Sequence, residues 1–427
     1  MINFILNLTA MSNLQINDFI KQPGMPEIIA RAEKIKASGK AYSDVLDSEG
    51  HQYVDLVQEG GGVLGVALVG YSYVLEQANI RFFSLAGTSA GAINTLMLAS
   101  LGPIPDPKST KILDLLSNKD LFDFVDGEDS IRGLIQGFID GKPKWWLWLK
   151  VISNIKKIIS LINEKLGLNP GINFEDWMVN SMSKNGITTT IDLLEYRSKF
   201  PVLHCRDGRK ADDLKPKLVM ITSDVTTQTK VQFPEMAPLY WKDANAVRPS
   251  KYLRASMSIP MFFYPVVVED LPTGPEAKAR WAEMASYDGE VPPKVAFVDG
   301  GMLSNFPINV FHNSKVIPRL PTFGVRLSSY RNEFNKTDNF FQFAGAMIGT
   351  MRHIFDFDFF LRHPDYKHII CSIDADSKYN WLDFNMKDDN KKTLFLLGAS
   401  KAIEFLEKFN WEQYKEIRKK LLEASTD

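Results

Sequence analysis

Three short clusters hold residue types at spacings that chemistry needs. Gly87-Thr88-Ser89-Ala90-Gly91 fits G-x-S-x-G, where small neighbours let the chain turn sharply enough to expose a serine between strand and helix. A serine held this way is a nucleophile, and the helix expected to begin near Ala90 aims its N-terminal dipole at any negative charge that develops there. Upstream, Gly60-Gly61-Gly62-Val63-Leu64-Gly65 again joins a strand to a helix. It leaves backbone N–H groups unpaired where no side chain blocks approach, which suits an oxyanion or a phosphate. In the third cluster, Val298-Asp299-Gly300-Gly301, an acid ends an apolar strand and two glycines turn the chain toward Asn305-Phe306-Pro307. By itself Asp299 reads as a cap of the following turn; only the combination with Ser89 lifts a catalytic reading above that.

Rival readings use the same residues. Gly60 to Gly65 also matches the dinucleotide fingerprint, but that site wants an acid about 20 positions on to hold a ribose. No Asp or Glu lies between Gln77 and Pro105, and the serine turn occupies that stretch. A Ser-Asp-His triad runs in the order Ser89, Asp299, His312, yet the D-G-G turn has no role in a triad. His312 otherwise reads as a surface or satisfied histidine. His353, His363 and His368 lie among acids without H-E-x-x-H or comparable spacing, so no metal and no cofactor is expected.

The elements that must position these clusters follow from hydrophobic patterning. Tyr53–Gln58 reads as a strand, 60–62 as a turn and Val63–Gln77 as a helix; Ile80–Ala86, the serine turn and Ala92–Leu101 repeat the unit. Repeated strand-turn-helix order specifies an α/β fold with a mostly parallel central sheet and helices on both faces. Residues 103–200 carry helical patterns and read as a cap insertion. Further strands are expected at Leu218–Thr222, Phe263–Val268, Lys294–Val298 and Phe323–Leu327, with a loop over Pro272–Pro293. Beyond Leu327 the pattern predicts helices at Phe340–Phe357, Lys391–Phe409 and Trp411–Ala424 and a strand at His368–Ile373. The expected organisation is a helical extension over 1–52, with a helix start at Pro26, a catalytic domain over 53–330 containing the 103–200 cap, and a mainly helical region over 331–427.

The chain has 427 residues and is 45% hydrophobic, enough for one large core or a catalytic core with a smaller appendage. Its 50 basic and 51 acidic side chains nearly cancel, so no global field draws nucleic acid. Cys205 and Cys371 form neither a disulfide framework nor a metal motif, which points to a reducing compartment. The apolar run Ile2–Leu8 precedes the first basic residue, Lys21, and no A-x-A-like site follows, so it is a poor signal peptide. With no apolar run of about 18 residues to span a bilayer, the expected location is cytoplasmic and any membrane contact peripheral. One stretch suits such contact: Trp145, Trp148, Ile152, Ile155, Ile159, Ile162 and Leu166 recur at helical spacing, with Lys150, Lys156, Lys157 and Lys165 read onto the other face. This stripe either lies in a membrane interface or packs on the protein's own core.

Taken together, the three motifs resemble the patatin-like phospholipase family. The resemblance extends through Ser223-Asp224-Val225-Thr226, Arg254-Ala255-Ser256 leading to Ile259-Pro260, and Phe262-Phe263-Tyr264-Pro265-Val266, covering residues 53 to 330. It implies a phospholipase A type of acyl hydrolase with a Ser89–Asp299 dyad, an acyl-enzyme, and an oxyanion hole from the N–H groups of Gly61 and Gly62. The substrate implied is a phospholipid or other acyl-ester lipid. Where the family often carries Arg or Lys before the last glycine of the first motif, this chain has Leu64; backbone donors survive that change. An idle lipid-binding module, or a latent enzyme needing an activating protein partner, is the alternative from another functional class.

Overall fold

A computed structural model describes residues 14–139, 142–328 and 361–424, and positions 337, 346, 350 and 359. The apolar run at 2–8, His353 and nearly all of the helix expected at 340–357 lie outside the described residues.

The strands, in chain order, are β1 (Val45–Leu46), β2 (Gln52–Gln58), β3 (Ile80–Thr88), β4 (Gly167–Asn169), β5 (His204–Cys205), β6 (Leu218–Asp224), β7 (Thr229–Phe233), β8 (Met261–Phe263), β9 (Val266–Glu269), β10 (Lys294–Asp299), β11 (Thr322–Arg326) and β12 (Ile370–Ser372). The fold is α/β. Its central sheet runs β12-β11-β2-β3-β6-β10-β9, parallel from β12 to β6 and antiparallel at β10 and β9. All nine residues of β3 are buried, the near-continuous apolar run of a parallel strand covered on both sides. Val54 and Phe82 join the main core, while their neighbours Tyr53 and Phe83 meet edge to face in a second cluster.

Helices α1 (Ile16–Ile20) and α2 (Met25–Ser38) precede the sheet. Pro26 sits in the first turn of α2, where its missing N–H costs nothing, and Gly39 closes the helix in the left-handed region. The stretch expected as one helix over 63–77 is a 3₁₀ turn at Gly62–Gly65 followed by α3 (Val66–Gln77); α4 (Ala90–Ser100) follows β3.

The cap contains α5 (Ser109–Ser117), α6 (Asp129–Ile139), α7 (Lys144–Lys165), α8 (Ile172–Ser183) and α9 (Thr190–Ser198), with β4 pairing in parallel to β8 as a separate two-stranded sheet. Its root is fixed by Glu76 at the end of α3, whose carboxylate accepts the N–H groups of Lys108 and Ser109 at 2.8 and 2.9 Å and so caps α5. Helices α6 and α7 form a hairpin, in which Gly137 leaves room for the Trp146 ring: a Cβ at 137 would lie 2.2 Å from it.

Three expectations change. Within the supposed loop 272–293, Pro275 opens α11 (Pro275–Ala285) at its first position and Ala277 and Trp281, one turn apart, are buried. The strand expected over 263–268 divides at Tyr264-Pro265 into β8 and β9, because proline has no N–H to give a ladder. The short helix α10 (Pro249–Ser256) and strand β7 lie in stretches not assigned from the pattern. After 330, β12 extends the sheet edge and α12 (Asp388–Lys408) crosses α3 where Gly70 lies against Phe395 and Gly398 against Ala67. A Cβ on Gly398 would stand 1.9 Å from the Ala67 carbonyl, so only glycine permits the crossing. Helix α13 (Trp411–Ala424) ends the described chain. The sheet and its packing thus run past the boundary expected at 330.

Candidate active site

Ser89 stands between β3 and α4 with φ 51° and ψ −117°, a left-handed backbone that a residue with a Cβ adopts only under strain. The neighbouring glycines make this possible. A Cβ on Gly87 would lie 2.4 Å from the Gly91 carbonyl carbon, and one on Gly91 would lie 2.2 Å from the Gln58 oxygen. A Cβ on Gly65 would lie 3.2 Å from the Ala90 side chain. The serine N–H is held at 3.0 Å by Ser256 Oγ, whose hydroxyl donates to the Ile221 carbonyl at 2.6 Å. The end of α10 therefore ties the elbow to β6.

Asp299 is level with Ser89 because of register. Thr88 pairs with Ile221 and Asp299 with the next residue, Thr222, while β7 takes the opposite edge of β6 at both positions, so β3 and β10 end against each other along one edge. Ser89 and Asp299 thus stand at the facing ends of two strands on one edge of β6, close enough that a Cβ on Gly300 would lie 3.0 Å from Thr88 Cγ2. Since β10 runs antiparallel to β6, its end reaches this level only through that register, not through a common carboxyl edge. Asp299 is fixed through both side chain and backbone: Oδ1 accepts from Gly301 N–H at 2.7 Å, its N–H donates to Ser258 O at 2.8 Å, and Ser223 Oγ donates to its carbonyl at 3.1 Å. Gly300 must be glycine, since a Cβ there would fall 2.2 Å from the Ile221 oxygen.

The loop after the D-G-G turn draws the glycine run at 60–65 in. Thr88 Oγ1 donates to Ser304 O at 2.8 Å, Gly60 N–H donates to Asn305 O at 3.0 Å, and Asn305 Nδ2 returns a bond to Gly60 O at 3.2 Å. A Cβ on Gly60 would touch Ser89 Cβ at 3.1 Å, so the glycine turn lies against the serine. Gly60 N–H is consumed in this link. The N–H groups of Gly61 and Gly62 have no protein acceptor among the described residues, and Gly62 is left-handed with φ 54°.

Two supports of this turn come from outside the motifs. The buried Glu59 carboxylate accepts from Leu327 N–H at 2.6 Å and from Ser328 N–H and Oγ at 2.9 and 2.6 Å. Val63 N–H donates to the Trp381 carbonyl at 3.1 Å. Neither Ser256, Ser258, Glu59 nor Trp381 was assigned to the site from sequence. Ser256 falls in a stretch that bears the family resemblance; Glu59 adjoins the glycine run; Trp381 left no trace in local spacing.

From Ser89 a narrow cavity of about 80 Å³ leads inward, walled almost wholly by apolar groups, among them Val66, Ile93, Met97, Phe174, Trp177 and Phe384. The cap supplies Phe174 and Trp177, and Phe384 stacks on Phe262. Such a slot takes an alkyl chain and offers nothing to a phosphate or sugar.

His312 is elsewhere. Its Nδ1 meets Tyr366 Oη at 2.8 Å, its ring packs on His363 and Phe359, and it lines no part of the cavity at Ser89. Burial, with His363 and Arg418 nearby, pushes its imidazole down to about 4. No group of three or more metal-ligating side chains occurs among the described residues.

The segment read for membrane contact is the helix α7. Trp145, Trp148, Ile152, Ile155, Ile159, Ile162 and Leu166 point outward, and Trp148 and Ile152 are each 62% exposed. Packing onto the core is therefore not their role within the described chain. The lysines depart from the expected opposite face: Lys157 pairs with Glu128 next to α6, Lys150 lies 5.5 Å over the Trp146 ring, and Lys156 is exposed. No described helix is long and apolar enough to cross a membrane.

A family model described as patatin-like phospholipase matches residues 56–312, more than half of the chain. The Bacillus subtilis (strain 168) protein "Uncharacterized protein YqhO" is 27% identical over 363 residues, 84% of this chain and all of that one. Among solved structures, VipD from Legionella pneumophila aligns with a TM-score of 0.34 at 13% identity, covering 86% of this chain and 70% of that chain.

Proposed function

Because the chain belongs to the patatin-like phospholipase family, we propose that it is a serine acyl hydrolase that cleaves acyl esters of phospholipids or related lipids through a Ser89–Asp299 dyad. Ser89 Oγ attacks the ester carbonyl carbon while its proton passes to the Asp299 carboxylate. The carbonyl oxygen, now negative, accepts from the N–H groups of Gly61 and Gly62, a contribution of about 2.7–4 kcal/mol per donor in comparable sites. The bond to the leaving alcohol breaks, and that oxygen takes the proton from Asp299. Water then adds to the acyl carbon as its proton passes to Asp299, and the bond to Ser89 Oγ breaks as Asp299 returns that proton to the serine, releasing the fatty acid. With a reference pKa of about 3.9, the aspartate acts through position and a dry site more than through basicity.

The observation that carries this reading is the strained Ser89 elbow lying against a glycine turn with two N–H groups that have no acceptor among the described residues. The apolar slot beside it supports an acyl chain as the bound group. The test is mass spectrometry of products from mixed lipid vesicles, together with fluorophosphonate labelling, for native protein and Ser89→Ala. Native protein is expected to release fatty acid and take the label, and the variant to do neither while staying folded. Full activity in folded Ser89→Ala would end the nucleophile assignment, and an unlabelled, inactive native protein would favour an idle lipid-binding module.

A further inference from the structure

Helix α7 has apolar side chains on two sides, and the protein covers only one. Trp146, Leu147, Val151, Ile158 and Leu161 are half-buried toward the rest of the cap. Opposite them, the outward stripe begun by Trp145 runs to Leu166, about 32 Å at 1.5 Å per residue. Single exposed apolar residues are ordinary on a protein surface, whereas an unbroken stripe of this length marks a contact surface.

We propose that this stripe seats the protein on an anionic lipid surface, with α7 lying in the headgroup layer. Two observations choose lipid as the occupant. The first is charge. From Lys142 to Lys165 the segment carries six lysines and one acid, Glu164. Lys142, Lys150, Lys156 and Lys165 are exposed, while Lys157 is taken by Glu128. Lysine stems reach past apolar groups to set the ammonium among anionic headgroups, and Trp145 and Trp148 at one end are the residues that favour that layer. A second copy of the chain would bring lysine-fringed stripes together, which like charges oppose. The second observation is continuity with the site. The stripe ends at Leu166, and the next residue, Gly167, pairs in β4 with Met261 of β8, itself exposed. Just before Met261, Met257 and Ile259 line the cavity at Ser89. The apolar surface thus leads from α7 to the mouth of the slot, so a lipid lifted from the layer meets the nucleophile without crossing open water.

This rests on the lipid-hydrolase reading for its purpose, but its test does not. Binding is measured on Ser89→Ala protein with vesicles of phosphatidylserine and phosphatidylcholine against phosphatidylcholine alone, at low and high salt, by flotation and by tryptophan emission. The parent is expected to float with anionic vesicles and to lose much of that binding in high salt. Each lysine near an anionic surface contributes about a fivefold factor, so Lys150→Glu with Lys156→Glu should weaken binding about 25-fold or more. Ile152→Glu with Ile159→Glu should weaken it about 100-fold or more, since each buried isoleucine contributes about tenfold or more. Circular dichroism checks the fold, and Trp148→Ala serves if the isoleucine pair disturbs it. Undiminished vesicle binding by these folded variants overturns the proposal. So does a parent that ignores vesicles but forms a dimer in sedimentation that Ile152→Glu with Ile159→Glu dissolves. Vesicle binding without any ester hydrolysis by native protein would instead count against the proposed reaction and leave the docking surface standing.

Discussion

Asp299→Asn separates a carboxylate base from a turn cap, and the local geometry says what each alternative predicts. The backbone anchors of Asp299, to Ser258 O and from Ser223 Oγ, do not depend on its side chain. The side-chain bond within the turn, Gly301 N–H to Oδ1 at 2.7 Å, is kept when an amide oxygen replaces Oδ1. The side-chain nitrogen then stands where the other carboxylate oxygen was. It is a donor with no lone pair to offer, so it cannot take the serine proton. The fold should therefore survive, with a melting shift no larger than about 3 °C, the usual response to a change of about 1 kcal/mol in a large domain.

The rate should not survive. A positioned base contributes about 10²–10⁴, and groups that act as a unit fail together, so kcat of Asp299→Asn should drop about 10³-fold or more and come close to Ser89→Ala. That loss corresponds to about 4 kcal/mol in the barrier. The double variant should be no slower than either single one. The assay is steady-state hydrolysis of a small soluble ester, with melting curves on the same samples. A folded Asp299→Asn within tenfold of native kcat would refute the dyad and leave Asp299 a cap.

Gly62→Val should abolish turnover, because Gly62 has φ 54° and a Cβ there would lie 2.1 Å from the Trp381 carbonyl, so the turn must shift and its N–H donors with it. A loss of about 10²–10³ in kcat is expected for one misdirected donor, and native kcat in the folded variant would make the turn merely structural. His312→Ala should retain near-native kcat and the native shape of the kcat/KM–pH profile. Its imidazole, held at about 4 instead of 6.5, is already neutral across the working range and lines no part of the slot. A limb near pH 6.5 that disappears in this variant would restore the triad.

What the sequence disclosed was whatever is local. G-x-S-x-G, the glycine run and D-G-G each act within a few residues, and their close approaches, Gly87 to Gly91 and Gly300 to Ile221, are the reason those positions hold glycine. The long apolar run of β3 was legible for the same reason. What escaped was set by distant partners. The antiparallel direction of β10 follows from register with β6 and β9, which no spacing within β10 encodes. Helix α11 was lost among prolines and charges, although Pro275 opens it and Ala277 and Trp281 face the core one turn apart. For α7 the periodicity specified a stripe but not its direction, because the helix has apolar residues on both sides and packing against α6, with Trp146 over Gly137, turns one of them inward.

The site is also larger than the segment that carries the family match. The glycine turn owes its shape to Glu59, and Glu59 is satisfied by Leu327 and Ser328, beyond the matched residues 56–312. Farther on, the Trp381 carbonyl holds Val63 N–H, and Phe384 closes one wall of the slot. The same C-terminal part anchors the helix that the turn leads into, through the glycine crossing of α3 and α12. An oxyanion donor stabilises a transition state only if it is already in place when charge develops, so in the proposed mechanism whatever fixes the turn contributes to the rate. In this chain that rigidity is supplied from both ends: the cap is rooted on Glu76 at the far end of α3, and the C-terminal helix is laid across its middle. Helix α3 is thereby clamped along its length, and the turn at its head inherits the constraint.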